Sequence, residues 1–328
     1  QNKGKIFTEL DVDKIREYNL KKDKRKKNKL ISLSEAIDKY VENGDYLAST
    51  GFGLTRIPSA ALYEIVRQKK KNLGFSLHMS SLSGSILTMG KCFNRCDFSY
   101  GAAFEAMGIN KAMRRYLESG NVEYTDWSNS AISWRLRAAA MGIPFIPIRS
   151  MLGTDTEKYS AGIEIECPFT KKKLLAVPAL YPDVAIIHVH AADVYGNAEI
   201  KGILVSDIDI SRATKKLIIT TEELVSDEYF RSDPSRTVIP YYLVDAVVHV
   251  PFGGYPSGVP YRYYMDIDHL NEILEVEADE KEYEAFIEKN IYQTKDFYDY
   301  LNIQGGFKKM QKLIEKEQLL GVEGGENE

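Results

Sequence analysis

Cysteine is scarce in this chain. Cys92, Cys96 and Cys167 are the three thiols among 328 residues, too few and too odd in number for a disulfide framework. Such sparse use fits a reducing compartment, so a cytoplasmic protein is expected. Cys92 and Cys96 stand four apart in KCFNRC, but no second pair completes a four-ligand zinc set, and half-buried thiols with no metal are the expectation. Long apolar runs are also missing. No stretch reaches the ~20 residues that span a bilayer, and the first residues hold no apolar core of a secretion signal. Neither sign of charge prevails, since 43 basic and 47 acidic side chains leave −4. That balance gives no global attraction for nucleic acid or an anionic membrane. A small-molecule or protein partner is expected instead.

What is present suits a large globular core, with 44% hydrophobic and 27% charged residues. Residues 1–30 read as a charged N-terminal extension whose basic run, Lys21 to Lys29, is expected to lie in solvent. Residues 31–320 read as one domain and 321–328 as a disordered tail. The compact part opens at SLSE, a capping box of Ser32 and Glu35. DYLAST then reads as a strand, Gly51-Phe52-Gly53 as a loop, and PSAALYEIVRQKKK as a helix with Pro58 in its opening turn. The same alternation recurs. LGFSLHM leads into the small-residue loop SSLSGS, CDFSYGAA precedes the helical NKAMRRYLESG, and NVEYTDW precedes SNSAISWRLRAAAMG, with Gly120 and Gly142 as stops. PFIPI, PDVAIIHVH, KLIITT and YLVDAVVHV are nearly continuous apolar runs, as for central strands covered on both faces. The expected fold class is α/β, an open, mostly parallel sheet flanked by helices. The charged, helix-periodic stretch from Ala278 to about Leu319 predicts a helical C-terminal segment.

Strand-loop-helix units place ligands at the loops that follow the strands. Gly51, Phe52 and Gly53 can turn backbone N–H groups toward an anion or a developing oxyanion; the same glycines also suit a tight turn with no further role. The GxGxxG spacing of a dinucleotide loop is absent. Arg56 is close enough to hold a carboxylate in bidentate fashion, or to pair with a surface acid. Ser80, Ser81 and Gly84 form a second loop able to hold a substrate acid. Glu105 in the otherwise apolar GAAFEAMG is open to acid-base work through desolvation, or to capping the next helix or pairing with Arg114 or Arg115. His188 and His190 point to one face of a strand, as metal ligands or as sheet packing; no third ligand is apparent. His249 reads as packing too. The tyrosine-rich YPSGVPYRYYMD suits a partner interface.

The segment NGDYLASTGFGLTRIPSAALYEIVRQ resembles the A-subunit signature of the family I coenzyme A transferases of the glutaconate type. SSLSGS, AAAMGIPFIPI, MLGTD, AVPALYPDVAIIHVHAADVYGN, TEELVSDE, DAVVHVPFGGYPSG and DFYDYLNIQGG follow in family order. Resemblance thus covers about residues 30–306, and it implies the open α/β fold of that family and its NagB/RpiA-like relatives. It implies transfer of CoA from an acyl-CoA thioester to a carboxylic acid through a glutamyl-CoA intermediate, with no permanently bound cofactor. In two-chain relatives the nucleophilic glutamate lies in a Ser-Glu-Asn-Gly motif of the B subunit. No such motif occurs here; Leu117-Glu118-Ser119-Gly120 fits a surface helix stop. A B-subunit partner carrying the nucleophile is therefore implied. The resemblance also assigns Gly51, Phe52 and Gly53 to the wall near the thioester and matches Arg56 to an arginine of related A subunits. Asn129 stands where ring-cleaving hydrolases of the superfamily carry a glutamate, and an amide is neither base nor nucleophile. A hydrolase of CoA-linked ring compounds and a non-catalytic ligand-binding protein are the alternatives on this scaffold.

Overall fold

The computed structural model describes residues 3–101, 104 and 107–323, with side chains described as far as 320. After α1 (Val12–Lys21) and α2 (Leu33–Tyr40) the chain alternates through β1 (Tyr46–Ser49), α3 (Ser59–Arg67), β2 (Leu73–Leu77), α4 (Ser81–Met89), β3 (Phe93–Phe98), α5 (Lys111–Glu118), β4 (Glu123–Asp126) and α6 (Asn129–Met141). β5 (Phe145–Ile148), α7 (Asp155–Tyr159), β6 (Ile163–Glu166) and β7 (Lys173–Pro178) come next. The chain returns through β8 (Val184–Ala192), β9 (Ala198–Glu199), α8 (Asp207–Ala213), β10 (Lys216–Leu224), α9 (Asp227–Ser232) and β11 (Ala246–His249). It ends in α10 (Ile267–Val276), α11 (Glu280–Ile287), α12 (Phe297–Ile303) and α13 (Gly306–Glu323).

The main sheet runs β11-β10-β8-β1-β2-β3-β4, and every ladder along that path is parallel; only β9 adds antiparallel to β8. All nine residues of β8 are buried, which is why VAIIHVHAA reads as a continuous apolar run rather than an alternating one. Successive side chains go to opposite faces. Leu47, Val184, Ile186 and Ile218 join a core with α2 to α5 and the C-terminal helices. Tyr46, Ala48, Ala185, Ile187 and Ile219 join a second core with α1, α6 and α8.

The expected capping box forms: the Ser32 side chain accepts from the Glu35 N–H and the Glu35 carboxylate accepts from the Ser32 N–H. Gly142 ends α6 in the left-handed conformation at φ 71°. Two expectations fail and a third holds in part. PFIPI is an edge strand of a separate antiparallel sheet, β5-β7-β6, not a central strand; Pro147 suits an edge, where a missing N–H costs no ladder bond. SSLSGS is not a loop, because Ser80 caps α4 and every residue of that helix is buried. Residues 23–28 of the basic run are exposed as expected, but the arm that carries them is anchored to the domain. Ile15 packs into the second core, Lys22 pairs with Asp245 at 2.7 Å, and Leu30 bridges to Val247 beside β11. Of the expected tail, 324–328 lies outside the described residues and the backbone of 321–323 continues α13. Among the described residues, no helix is long and apolar enough to cross a membrane.

Candidate active site at the carboxyl edge of the sheet

Parallel strands gather their following loops at one edge. β1 leads into Thr50 and then a tight loop in which Phe52 and Thr55 exchange backbone hydrogen bonds of 3.0 and 2.9 Å. Gly51 and Gly53 adopt φ of 117° and 57°, a region that costs glycine little. A Cβ on Gly51 would lie 2.3 Å from Ile57 Cδ1 and 2.9 Å from the Thr55 carbonyl oxygen, so the loop's own geometry requires glycine there. Two straps fix this loop from outside. The Gly53 N–H donates to the Met79 carbonyl at 2.7 Å, and Arg56 N–H donates to the Gly258 carbonyl at 2.7 Å while Gly258 N–H returns to Leu54 at 3.0 Å. Phe52 is 44% exposed at the tip.

Beside the loop, Ser80 Oγ bonds Ser83 Oγ at 2.7 Å, and Ser49 donates to Ser83 at 3.1 Å. The hydroxyls of Thr50 and Ser81 are buried and have no hydrogen-bond partner at this edge, a state shared by Tyr181 and Tyr283 away from it, so each keeps unused hydrogen-bonding capacity. Gly84 does not share this location. A Cβ there would meet Met113 Sδ at 2.6 Å and Leu77 Cδ1 at 2.9 Å, so its role is close helix packing, not substrate contact. Asn129, the first residue of α6, accepts from Ser99 Oγ at 2.7 Å. Glu105 lies outside the described residues.

Arg56 departs from the expected pocket arginine. Its side chain is 2% exposed, and its two terminal nitrogens grip both carboxylate oxygens of Asp207 at 2.7 and 2.9 Å. Nη1 also donates to the His188 carbonyl at 2.9 Å and Nη2 to that of Ile203 at 3.2 Å. The acid it meets is buried, not on the surface, and the guanidinium presents no open face to a substrate.

Sequence reasoning missed the partners behind the loop. His78 bonds Ser133 Oγ at 3.1 Å; burial holds it near pKa about 4, against a hydrogen bond with the Asn129 backbone, so it is a neutral imidazole at pH 7. Glu222 accepts from the Tyr263 hydroxyl at 2.6 Å and the Phe252 N–H at 2.8 Å, and meets His188 Nε2 at 2.7 Å. Burial, then the Glu222 charge, pushes the Tyr263 phenol well up. Asp207 sits in a stretch with no motif of its own, and Glu222, although within TEELVSDE, is singled out there by its contacts alone. His188 and His190 are both fully buried; the ring nitrogens of His190 meet the Pro260 carbonyl and the Lys201 N–H at 2.9 and 3.1 Å. Among the described residues, no group of three or more His, Cys, Asp or Glu could hold a metal ion. Within the tyrosine-rich segment Tyr255 and Tyr263 are buried and brace the loop, whereas Tyr261 is 72% exposed and leaves one ring of the stretch open on the surface.

A cleft of about 440 Å³ opens elsewhere, where Lys71, Gly90, Lys91, Ser119 and Asn121 precede β2, β3 and β4. That is the amino edge, a strand's length of ~16 Å away, on the side where parallel sheets do not place their chemistry.

The sequence profile of coenzyme A transferases matches residues 30–250, a span that includes the loop, Arg56, Asp207 and Glu222. The chain belongs to the coenzyme A transferase family. The A subunit of glutaconate CoA-transferase from Acidaminococcus fermentans is 33% identical over 302 residues, 85% of this chain and 92% of its own. The A subunit of 3-oxoadipate CoA-transferase from Pseudomonas knackmussii is 34% identical over 275 residues, 83% and 96%. The crystal structure of the Acidaminococcus fermentans glutaconate CoA-transferase superimposes with a TM-score of 0.83 at 31% identity, covering 87% of this chain and 95% of that one. This is a CoA-transferase chain of the A-subunit type, one part of an enzyme whose family uses acyl-CoA as substrate, and its open parallel sheet is the fold of that enzyme.

Proposed function

We propose that this chain pairs with a B subunit to move CoA from an acyl-CoA to a carboxylic acid, with a dicarboxylate of the glutaconate or 3-oxoadipate type as one substrate. The observation that carries the reading is the company kept by the acids at the carboxyl edge. Among the described residues there, Asp207 is tied to Arg56, and Glu222 to His188, Tyr263 and the Phe252 N–H. Neither is free to attack a carbonyl, and Asp126, half-buried at the end of β4, stands three strands from β1 and its loop. The nucleophile then comes from the partner. Its glutamate carboxylate adds to the thioester carbonyl and expels CoA thiolate, leaving a mixed anhydride; the thiolate attacks the glutamyl carbonyl and releases the donor acid. The acceptor carboxylate runs the same two steps in reverse. The Gly51-Phe52-Gly53 turn serves as the wall beside the thioester, its shape fixed by the Phe52 and Gly53 N–H groups donating to Thr55 and Met79, while the hydroxyls of Thr50 and Ser81 receive polar groups of the acyl chain. The Asn129 amide is too weakly basic to take up a proton and too weak a nucleophile to replace a catalytic carboxylate, which disfavours the hydrolase reading.

The test is to purify the chain alone and with a B-type partner, supply a dicarboxylyl-CoA with and without acetate, and digest the enzyme after trapping for mass analysis. Transfer by the complex alone, with CoA on a partner glutamate, is the expected result. Robust turnover by the lone chain, CoA on one of its own acids, or hydrolysis without an acceptor would overturn the proposal.

A further inference from the structure

We infer that Arg56 and Asp207 are a positioning pair for CoA transfer, which holds two loops at the carboxyl edge as one wall. The inference rests on reading that edge as the acyl-CoA site. One guanidinium spans three segments: its own loop after β1, the carbonyl of His188 on β8, and the carbonyl of Ile203 in the stretch before α8. Asp207, the first residue of α8, closes the arrangement by also accepting from the Val205 N–H at 3.3 Å. The hydrogen bonds thus tie residues 51–57 to residues 203–207, and each loop carries exposed apolar tips: Phe52 is 44%, Ile203 48% and Leu204 41% exposed.

Two features argue that the pair does more than add stability. A buried ion pair is a poor stabiliser compared with apolar side chains of similar volume, and its best use is to select one arrangement. Arg56 is also held at φ 56°, a left-handed conformation unfavourable for a residue with a Cβ and persistent where the surroundings over-determine it. Met79, whose carbonyl receives the Gly53 N–H, sits at φ 56° as well. The strained backbone and the buried fork converge on the Gly51–Gly53 turn. Since the guanidinium has no open face, Arg56 acts on the substrate through the loop.

Arg56→Lys keeps the charge but loses the two-pronged grip, and Asp207→Asn keeps the volume but removes the charge and turns one of the two acceptors that Arg56 grips into an NH2 donor. Each is made in the two-chain enzyme and compared with wild type by steady-state transfer and by hydrogen exchange. The expected result is a kcat loss of ~100-fold, the scale set by small misplacement of reacting groups, with KM for the acceptor acid within threefold. Faster exchange is expected in 51–57 and 203–207 together. A raised KM with unchanged kcat would make Arg56 an acid-binding residue and overturn the inference. So would faster exchange with unchanged kcat, or no change at 203–207. If Arg56→Lys fails to assemble, Asp207→Asn decides. Wild-type complex that transfers no CoA refutes the reading of the site, whereas active wild type with unaffected variants refutes the pair alone.

Discussion

Arg56 shows how far a residue's identity can mislead about its role. An arginine just past a glycine loop resembles a carboxylate clamp, yet what decides is the acid waiting at Asp207, 151 positions along the chain. Removing the guanidinium leaves that buried carboxylate unpaired, so Arg56→Ala is expected to destabilise the chain by ~3–5 kcal/mol, read as a shifted urea midpoint. Unchanged stability would mean that Asp207 is solvated in solution. Gly51 is the converse case, where the sequence identified a glycine that the backbone needs. Valine there meets φ 117° and the Thr55 carbonyl at once, so Gly51→Val is expected to abolish transfer, by ~100-fold or more, while size-exclusion chromatography still shows the assembled complex. Near wild-type turnover would leave the loop a mere turn. At this scale the legible residues were those with backbone requirements. His78, Asp207 and Glu222 were not, because a buried polar residue acquires its role from partners distant in sequence.

Elements were more legible than residues, since β1, β2, β8 and β10 announce themselves by unbroken apolar runs and the helices by caps and stops. α4 escaped because Ser80, Ser81, Ser83 and Gly84 are weak helix formers; burial on all sides overrides that propensity. β5 was misplaced because an apolar tetrapeptide looks alike in a central and an edge strand. The join between elements carries a titratable device. Glu277 caps the end of α10, and its carboxylate accepts from Ser85 Oγ on α4 at 3.2 Å and from the Ala112 N–H on α5 at 3.5 Å. Burial raises its pKa from 4.5 to about 7, against the pull of those hydrogen bonds. A raised carboxyl contributes stability below pH 4.5 that is lost as pH climbs through about 7. Glu277→Gln, which cannot ionise, is therefore expected to match wild type near pH 4.5 and to exceed it at pH 8 by up to ~3 kcal/mol. Urea titrations at pH 4.5, 6 and 8 check this; a glutamine variant weaker at pH 8 would show that the ionised form is the one the fold prefers.

On the scale of the whole molecule, the alternation of elements foretold an open parallel sheet, but the arm, Lys22 to Asp245 and Leu30 to Val247, could not be foreseen from charge alone. Its basic run looks solvated until the acids and strand edge it meets are known. The carboxyl edge presents the opposite problem, a set of groups whose partner is not within the described chain. Phe52 holds a large apolar ring half in solvent at the tip of a loop braced on both sides, so its rigidity is not matched by burial. In the lone chain, Phe52→Ala should cost little, within ~0.5 kcal/mol as for an exposed position without special contacts, and its melting temperature should stay close to wild type. In the two-chain enzyme the same change removes an apolar contact that either the acyl-CoA or the B subunit covers, and transfer is expected to fall at least tenfold, the equivalent of ~1.4 kcal/mol of lost apolar burial. Melting curves of the lone chain and transfer assays of the complex, made on one preparation, separate the two effects. A variant that melts early would place Phe52 in the chain's own core, and one with full transfer would leave this edge uncovered in the working enzyme.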